Sequence, residues 1–107
     1  MFGSSHDKMP LPIRSEYAED EDFRVLLEAF VETFPDKRQS MSDLFRGGQI
    51  DELGGAAHQL KGAAGGYGFP EVTTAAALLQ DACHEQDRAR VEQALNGVFE
   101  LLARVTV

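Results

Sequence analysis

From Phe23 to Val105 the apolar residues return every three or four positions, and no stretch alternates apolar and polar residues one by one. A period near 3.6 belongs to an amphipathic helix, whereas a half-buried strand needs a period of two. The chain therefore has to bury helix faces against helix faces. Phe23, Leu26, Leu27, Phe30, Val31 and Phe34 mark one such face, and Met41, Leu44 and Phe45 continue it nearly in phase. Pro35 interrupts the run because it lacks a backbone donor and clashes with the preceding turn. The spacing predicts one kinked helix or two abutting pieces over about 19–46, ended by Arg46-Gly47-Gly48. Ile50, Leu53, Ala57, Leu60 and Ala64 give the seam of the next helix, over about 49–66. Pro70 suits the first turn of another, whose inner face is Val72, Ala75, Ala76, Leu79 and Cys83. His84-Glu85-Gln86-Asp87 makes a short connection with Asp87 as N-cap, and Val91, Leu95, Val98, Leu102 and Val105 stripe the last helix.

Four long helices with short connections predict an all-α fold, an antiparallel up-down four-helix bundle with a short N-terminal extension. At 107 residues the chain fits one domain. Residues 1–15 hold two of the four prolines and show no sustained period, so they read as a flexible segment, with Leu11 and Ile13 resting on the body formed by residues 16–107. The acidic run Glu16-Tyr17-Ala18-Glu19-Asp20-Glu21-Asp22 suits the start of the first helix, where the macrodipole favours negative charge.

The formal net charge of −8 argues against nucleic acid as a partner, since a phosphate backbone needs a positive surface, and disfavours an anionic membrane for the same reason. No apolar run approaches the 18 or so residues that read as a membrane span. The start Met1-Phe2-Gly3-Ser4-Ser5-His6 lacks the pattern of a secretory signal, and the single cysteine, Cys83, has no internal disulfide partner. A cytoplasmic location and a monomer are the expectations, the latter because each helix already shows a polar face.

The stretch from Gly54 to Gly68 holds six glycines around one histidine and one lysine. At 100° per residue His58 sits roughly 120° from the seam between Leu53 and Leu60, outside the core. Its neighbours one turn away are Gly54, Gly55, Lys61 and Gly62, so three of the four carry no side chain. On this reading Gly54 and Gly62 keep the ring clear, while Gly65, Gly66 and Gly68 close the helix. A surface histidine without chemistry and a reactive one both remain open at this point. A phosphate-binding loop fails, because lysine precedes glycine and the context is helical. A dinucleotide fingerprint fails too, since Gly66-Tyr67-Gly68 has no third glycine and no strand before it. Asp81 with His84 is the best helical metal pair and falls short of a site, so no metal and no cofactor are expected. Cys83 lies in phase with the apolar stripe, as a small core residue does. A histidine nucleophile survives these exclusions: with an ordinary pKa near 6.5 much of a histidine population is neutral, and one ring nitrogen can attack a phosphoryl group without a general base.

The run His58-Gln59-Leu60-Lys61-Gly62-Ala63-Ala64-Gly65-Gly66-Tyr67-Gly68 resembles, without gaps, the signature of the histidine-containing phosphotransfer (Hpt) domains of phosphorelays. The acidic first helix with its internal proline, the glycine loop before the histidine helix, and Leu78-Leu79-Gln80-Asp81-Ala82-Cys83 extend the likeness to about residues 15–105. The resemblance implies a phosphocarrier rather than an enzyme. His58 would accept a phosphoryl group, through Nε2, from a receiver-domain aspartate or a histidine kinase and pass it to another response regulator. Lys61 would supply charge to the phosphoryl oxygens, Gly62 would leave the receiver room, and Gln80 would reach the histidine or its phosphate. The partners implied are receiver domains and a sensor kinase, with magnesium carried by the receiver. Leu78, Phe69 and Tyr67 are candidate docking residues. Gly54 and Gly55 depart from the larger residues often found before the histidine, and Gly66 from the usual helix end. A non-phosphorylated adaptor that docks receivers, and the phosphoacceptor domain of a chemotaxis-type kinase, are the competing readings; the second would need catalytic domains in a longer chain.

Overall fold

The computed structural model describes residues 11–107, and the expectations for residues 1–10, His6 included, lie outside that range. Five helical segments follow one another: α1 (Glu21–Glu32), α2 (Phe34–Arg46), α3 (Ile50–Gly66), α4 (Pro70–His84) and α5 (Arg88–Arg104). The first two are the abutting pieces that Pro35 predicted. They meet at Thr33, whose amide and hydroxyl both donate to the Phe30 carbonyl, 3.0 and 2.6 Å away, and Pro35 falls in the first turn of α2, where its missing donor does no harm. Helices α2, α3, α4 and α5 pack in a closed ring, α2 on α3, α3 on α4, α4 on α5 and α5 on α2, with α1 against α2. This is an all-α four-helix bundle. Among the described residues β geometry is confined to one isolated parallel bridge between Ile13 and Val105.

The seams read from the sequence are the core. Leu53, Ala57, Leu60 and Ala64 of α3 meet Val72, Ala76, Leu79 and Cys83 of α4, and Val91, Leu95, Val98 and Leu102 of α5 complete the interior. Leu26 departs from its expected place in the apolar face, being 48% exposed beside Val25 at 70%. The apolar arc of α1 is wider than the face the bundle can cover, and the buried side is centred on Leu27, Phe30 and Phe34 instead.

The helix ends follow from local chemistry. Asp20 caps α1, its carboxylate accepting from the Asp22 amide at 3.0 Å, with Glu21 and Asp22 in the favoured first turn. Asp87 caps α5 as expected, accepting from the Arg90 amide at 3.2 Å. Replacing Asp87 by alanine should cost about 1 kcal/mol, read as a lower urea midpoint with an unchanged slope. Helix α3 ends with Tyr67 as C-cap and Gly68 next, at φ 82°. The Phe69 amide donates to the Ala64 carbonyl (2.9 Å) and the Gly68 amide to the Gly65 carbonyl (3.3 Å). That double return closes a helix through a left-handed residue, for which glycine is suited. Helix α4 ends in the same way on Gln86 at φ 59°, a conformation costly for a side chain with a Cβ. The Gln86 side-chain amide donates to the Asp51 carboxylate at the start of α3 (2.8 Å) and so ties the two helices together.

The expected flexible segment is anchored where the structure describes it. Ile13 is buried, donates its amide to the Arg104 carbonyl and accepts from Thr106, each at 2.9 Å. Ser15 is buried as well: its hydroxyl donates to the Tyr67 carbonyl at 2.6 Å and accepts from the Tyr17 amide, while the Glu16 amide donates to the Gly68 carbonyl. The packed body thus includes Ile13 and Ser15, ahead of the boundary expected at residue 16, and these residues join the ends of α3 and α5. Leu11, expected on the body, is largely exposed, although its carbonyl accepts from the Arg104 side chain.

Candidate functional site

Helices α3 and α4 run in opposite directions, since contacts pair Gly65 with Thr73, His58 with Gln80, Gly54 with Cys83 and Asp51 with Gln86. Leu53, Ala57, Leu60 and Ala64 pin the inner side of α3, which turns His58 outward. His58 is exposed, and the turn of α4 opposite it carries Gln80. The Gln80 amide nitrogen lies 3.1 Å from His58 Nδ1. A half-turn of that amide exchanges a donor for an acceptor, so Gln80 can serve an unprotonated Nδ1 or accept from Nδ1–H. In either arrangement Nδ1 is the ring nitrogen engaged with α4.

Of the other residues singled out, Lys61 is half-buried one turn after His58. Gly62 is exposed, and a Cβ built there would meet nothing within 4 Å. The clearing on that side of the ring is real. On the other side Gly55 is open too, whereas Gly54 is not: a Cβ at 54 would stand 3.2 Å from Cys83 Cβ. Gly54 therefore serves the contact between α3 and α4 rather than free space around the ring. An open cleft of about 530 Å³ flanks His58, lined by Gly54, Gly55, Gln80, Asp51, Asp81 and His84.

Cys83 borders the cleft yet is buried. Burial pushes its thiol pKa up, and the Asp51 carboxylate adds to the shift, so at neutral pH it stays a thiol and a poor nucleophile. Asp81 and His84 reach the same cleft, and among the described residues no group of three or more His, Cys, Asp or Glu side chains is arranged to hold a metal ion. Phe69 is fully buried and so is not free as a docking residue, whereas Tyr67 is partly buried and stacks on Phe30 with ring centroids 4.3 Å apart. Leu78 is exposed, but it lines a cleft between α4 and α5 with Ala82 and Ala94.

The family model described as Hpt domain matches residues 25–106, from α1 through the end of α5. The chain belongs to the Hpt domain family. No curated protein and no solved structure matches it. The match takes in the whole His58 face of this Hpt domain, while the Ile13–Tyr17 attachment lies ahead of the matched residues. Membership carries the general function of the family, histidine phosphotransfer in two-component signalling, in which the Hpt domain is a carrier rather than an enzyme. Among the described residues no helix is long and apolar enough to cross a membrane.

Proposed function

We propose that His58 is the phosphoacceptor of this Hpt domain, taking a phosphoryl group from a receiver-domain aspartate or a histidine kinase and giving it to another response regulator. The observation that carries the reading is the exposed His58 ring with its Nδ1 engaged by Gln80, which leaves Nε2 facing away from that tie. The productive neutral ring carries its proton on Nδ1. The Nε2 lone pair attacks phosphorus, the N–P bond forms as the P–O bond to the aspartate breaks, and the carboxylate leaves with the electron pair. No proton has to move. As the bond forms, the ring becomes cationic, and the Nδ1–H donates more strongly to the Gln80 carbonyl oxygen. Hydrogen bonds to charged groups contribute about 1.5–3 kcal/mol, against about 1 for neutral ones, so Gln80 favours the transferring state over the resting one.

Lys61, one turn on, supplies positive charge on the side where phosphoryl oxygens accumulate. Gly62 gives a receiver room to bring its aspartate into line with Nε2. Replacing Gly62 by phenylalanine should slow transfer on the order of tenfold or more while leaving the melting temperature within a few degrees, because the side chain projects into open space. Stopped-flow transfer rates and a thermal melt check the two halves, and unchanged rates would show that receivers do not approach over this turn. The magnesium needed for aspartyl phosphate chemistry belongs to the receiver. The carrier works as a cytoplasmic monomer alongside its partners.

Phosphohistidine is acid-labile and survives alkali, so the phosphate gained from a charged receiver should disappear on brief acid treatment and persist in base. A complex that forms without such phosphate would favour a docking-only adaptor.

A further inference from the structure

The Gly54–Cys83 crossing lies one turn from the His58–Gln80 pair on both helices, since 54 precedes 58 by four residues and 83 follows 80 by three. A Cβ at 54 would come within 3.2 Å of Cys83 Cβ, inside the ordinary carbon contact distance of about 3.5–4.0 Å. Any residue but glycine at 54 therefore requires Cys83, and the turn of α4 that carries it, to give by a few tenths of an ångström. The His58–Gln80 hydrogen bond, at 3.1 Å, is already near the long end of the usual range of about 2.7–3.2 Å. Next door, Gly55 occupies the same helix with nothing within 4 Å of its would-be Cβ, so it carries no such constraint.

From this arrangement we infer that Gly54 is a positioning residue for phosphotransfer: the side-chain-free crossing with Cys83 holds α4 close enough for Gln80 to engage Nδ1 of His58. The inference rests on the reading of His58 and Gln80 given above. It also accounts for a glycine in the second turn of α3, where alanine is the better helix former by propensity. Local helix stability is given up for the spacing of two helices beside the reacting ring. A glycine with no such contact makes the opposite demand, since alanine would then be neutral or favourable for the fold and silent in transfer.

The test compares four variants with the parent protein, using transfer rates from a phosphorylated receiver, thermal melts and nitrogen-15 NMR of the phosphorylated His58 ring. Gly54→Ala is expected to fold with a melting temperature close to the parent's, to transfer about fivefold more slowly, and to lose exchange protection of the Nδ1 proton. Gly54→Ala/Cys83→Gly, which removes the opposing Cβ, should recover most of the rate and the protection. Gly55→Ala should leave the Nδ1 proton signature as in the parent, and Gln80→Leu should slow transfer at least as much as Gly54→Ala. Parental rate and protection in Gly54→Ala would overturn the inference, as would loss of the fold, which overpacking of about 1–3 kcal/mol should leave standing. If Gln80→Leu is slow and Gly54→Ala is not, the spacing argument alone fails. Parental transfer by Gln80→Leu would remove the reading of the site beneath it.

Discussion

Replacing His58 by glutamine should abolish phosphoryl uptake and leave the bundle standing. The amide nitrogen of glutamine has its lone pair delocalised into the carbonyl and cannot replace the imidazole as a nucleophile, so the loss is complete rather than partial. The fold has little stake in the ring: His58 is exposed, contributes nothing to the seam of Leu53, Ala57, Leu60 and Ala64, and makes its hydrogen bond to the half-buried Gln80 at the bundle surface. Substitutions at such positions fall within about 0.5 kcal/mol of neutral. Intact mass at alkaline pH reads the first half and a thermal melt the second. Phosphate retained by His58→Gln would mean that another residue accepts it, and the second histidine of the cleft, His84, would be the first to examine.

The largest effect on stability is expected at Gly68. Its φ of 82° is disfavoured for any residue with a Cβ, and that atom would lie 2.6 Å from Ser15 Oγ, 2.9 Å from Tyr17 Cδ2 and 3.1 Å from the Glu16 amide. The conformational term is about 1–2 kcal/mol and the overpacking about 1–3, so Gly68→Ala should cost about 3 kcal/mol. For a domain of this size that lowers the melting temperature on the order of 15 °C. The clash cannot be relieved locally, because Ser15 is held on the Tyr67 carbonyl and Glu16 on the Gly68 carbonyl, so relief means detaching the N-terminal segment from the end of α3. A loss below about 1 kcal/mol in a denaturant titration would show that this attachment is weak.

Helix positions were legible because a bundle repeats one local rule: the seams of α3, α4 and α5 follow the three-and-four spacing, and Asp87, Pro70 and Pro35 mark starts with residue types whose backbone chemistry suits them. His58 stood out by the same rule, through its angle from the seam. Long-range contacts leave no such trace. The Ser15 hydroxyl satisfies a carbonyl 52 positions away, which no pattern within residues 11–17 announces. Leu26 keeps helical phase with buried residues yet faces outward, since phase fixes a direction but not how wide a face its neighbours cover. Gly54 and Gly62 look alike along the chain, each one turn from His58, and only the position of α4 separates a packing glycine from an open one. Gln80 came from family likeness alone, and no pattern along the chain places its amide nitrogen 3.1 Å from His58 Nδ1.

The most direct test of the central claim is to mix the protein with a receiver domain charged on its aspartate, measure intact mass in alkali and map the modified residue by fragmentation. The account predicts a gain of one phosphoryl group, located on Nε2 of His58, with matching loss from the receiver. A gain on any other residue, or a complex that forms with charged receivers and never acquires the group, would contradict it.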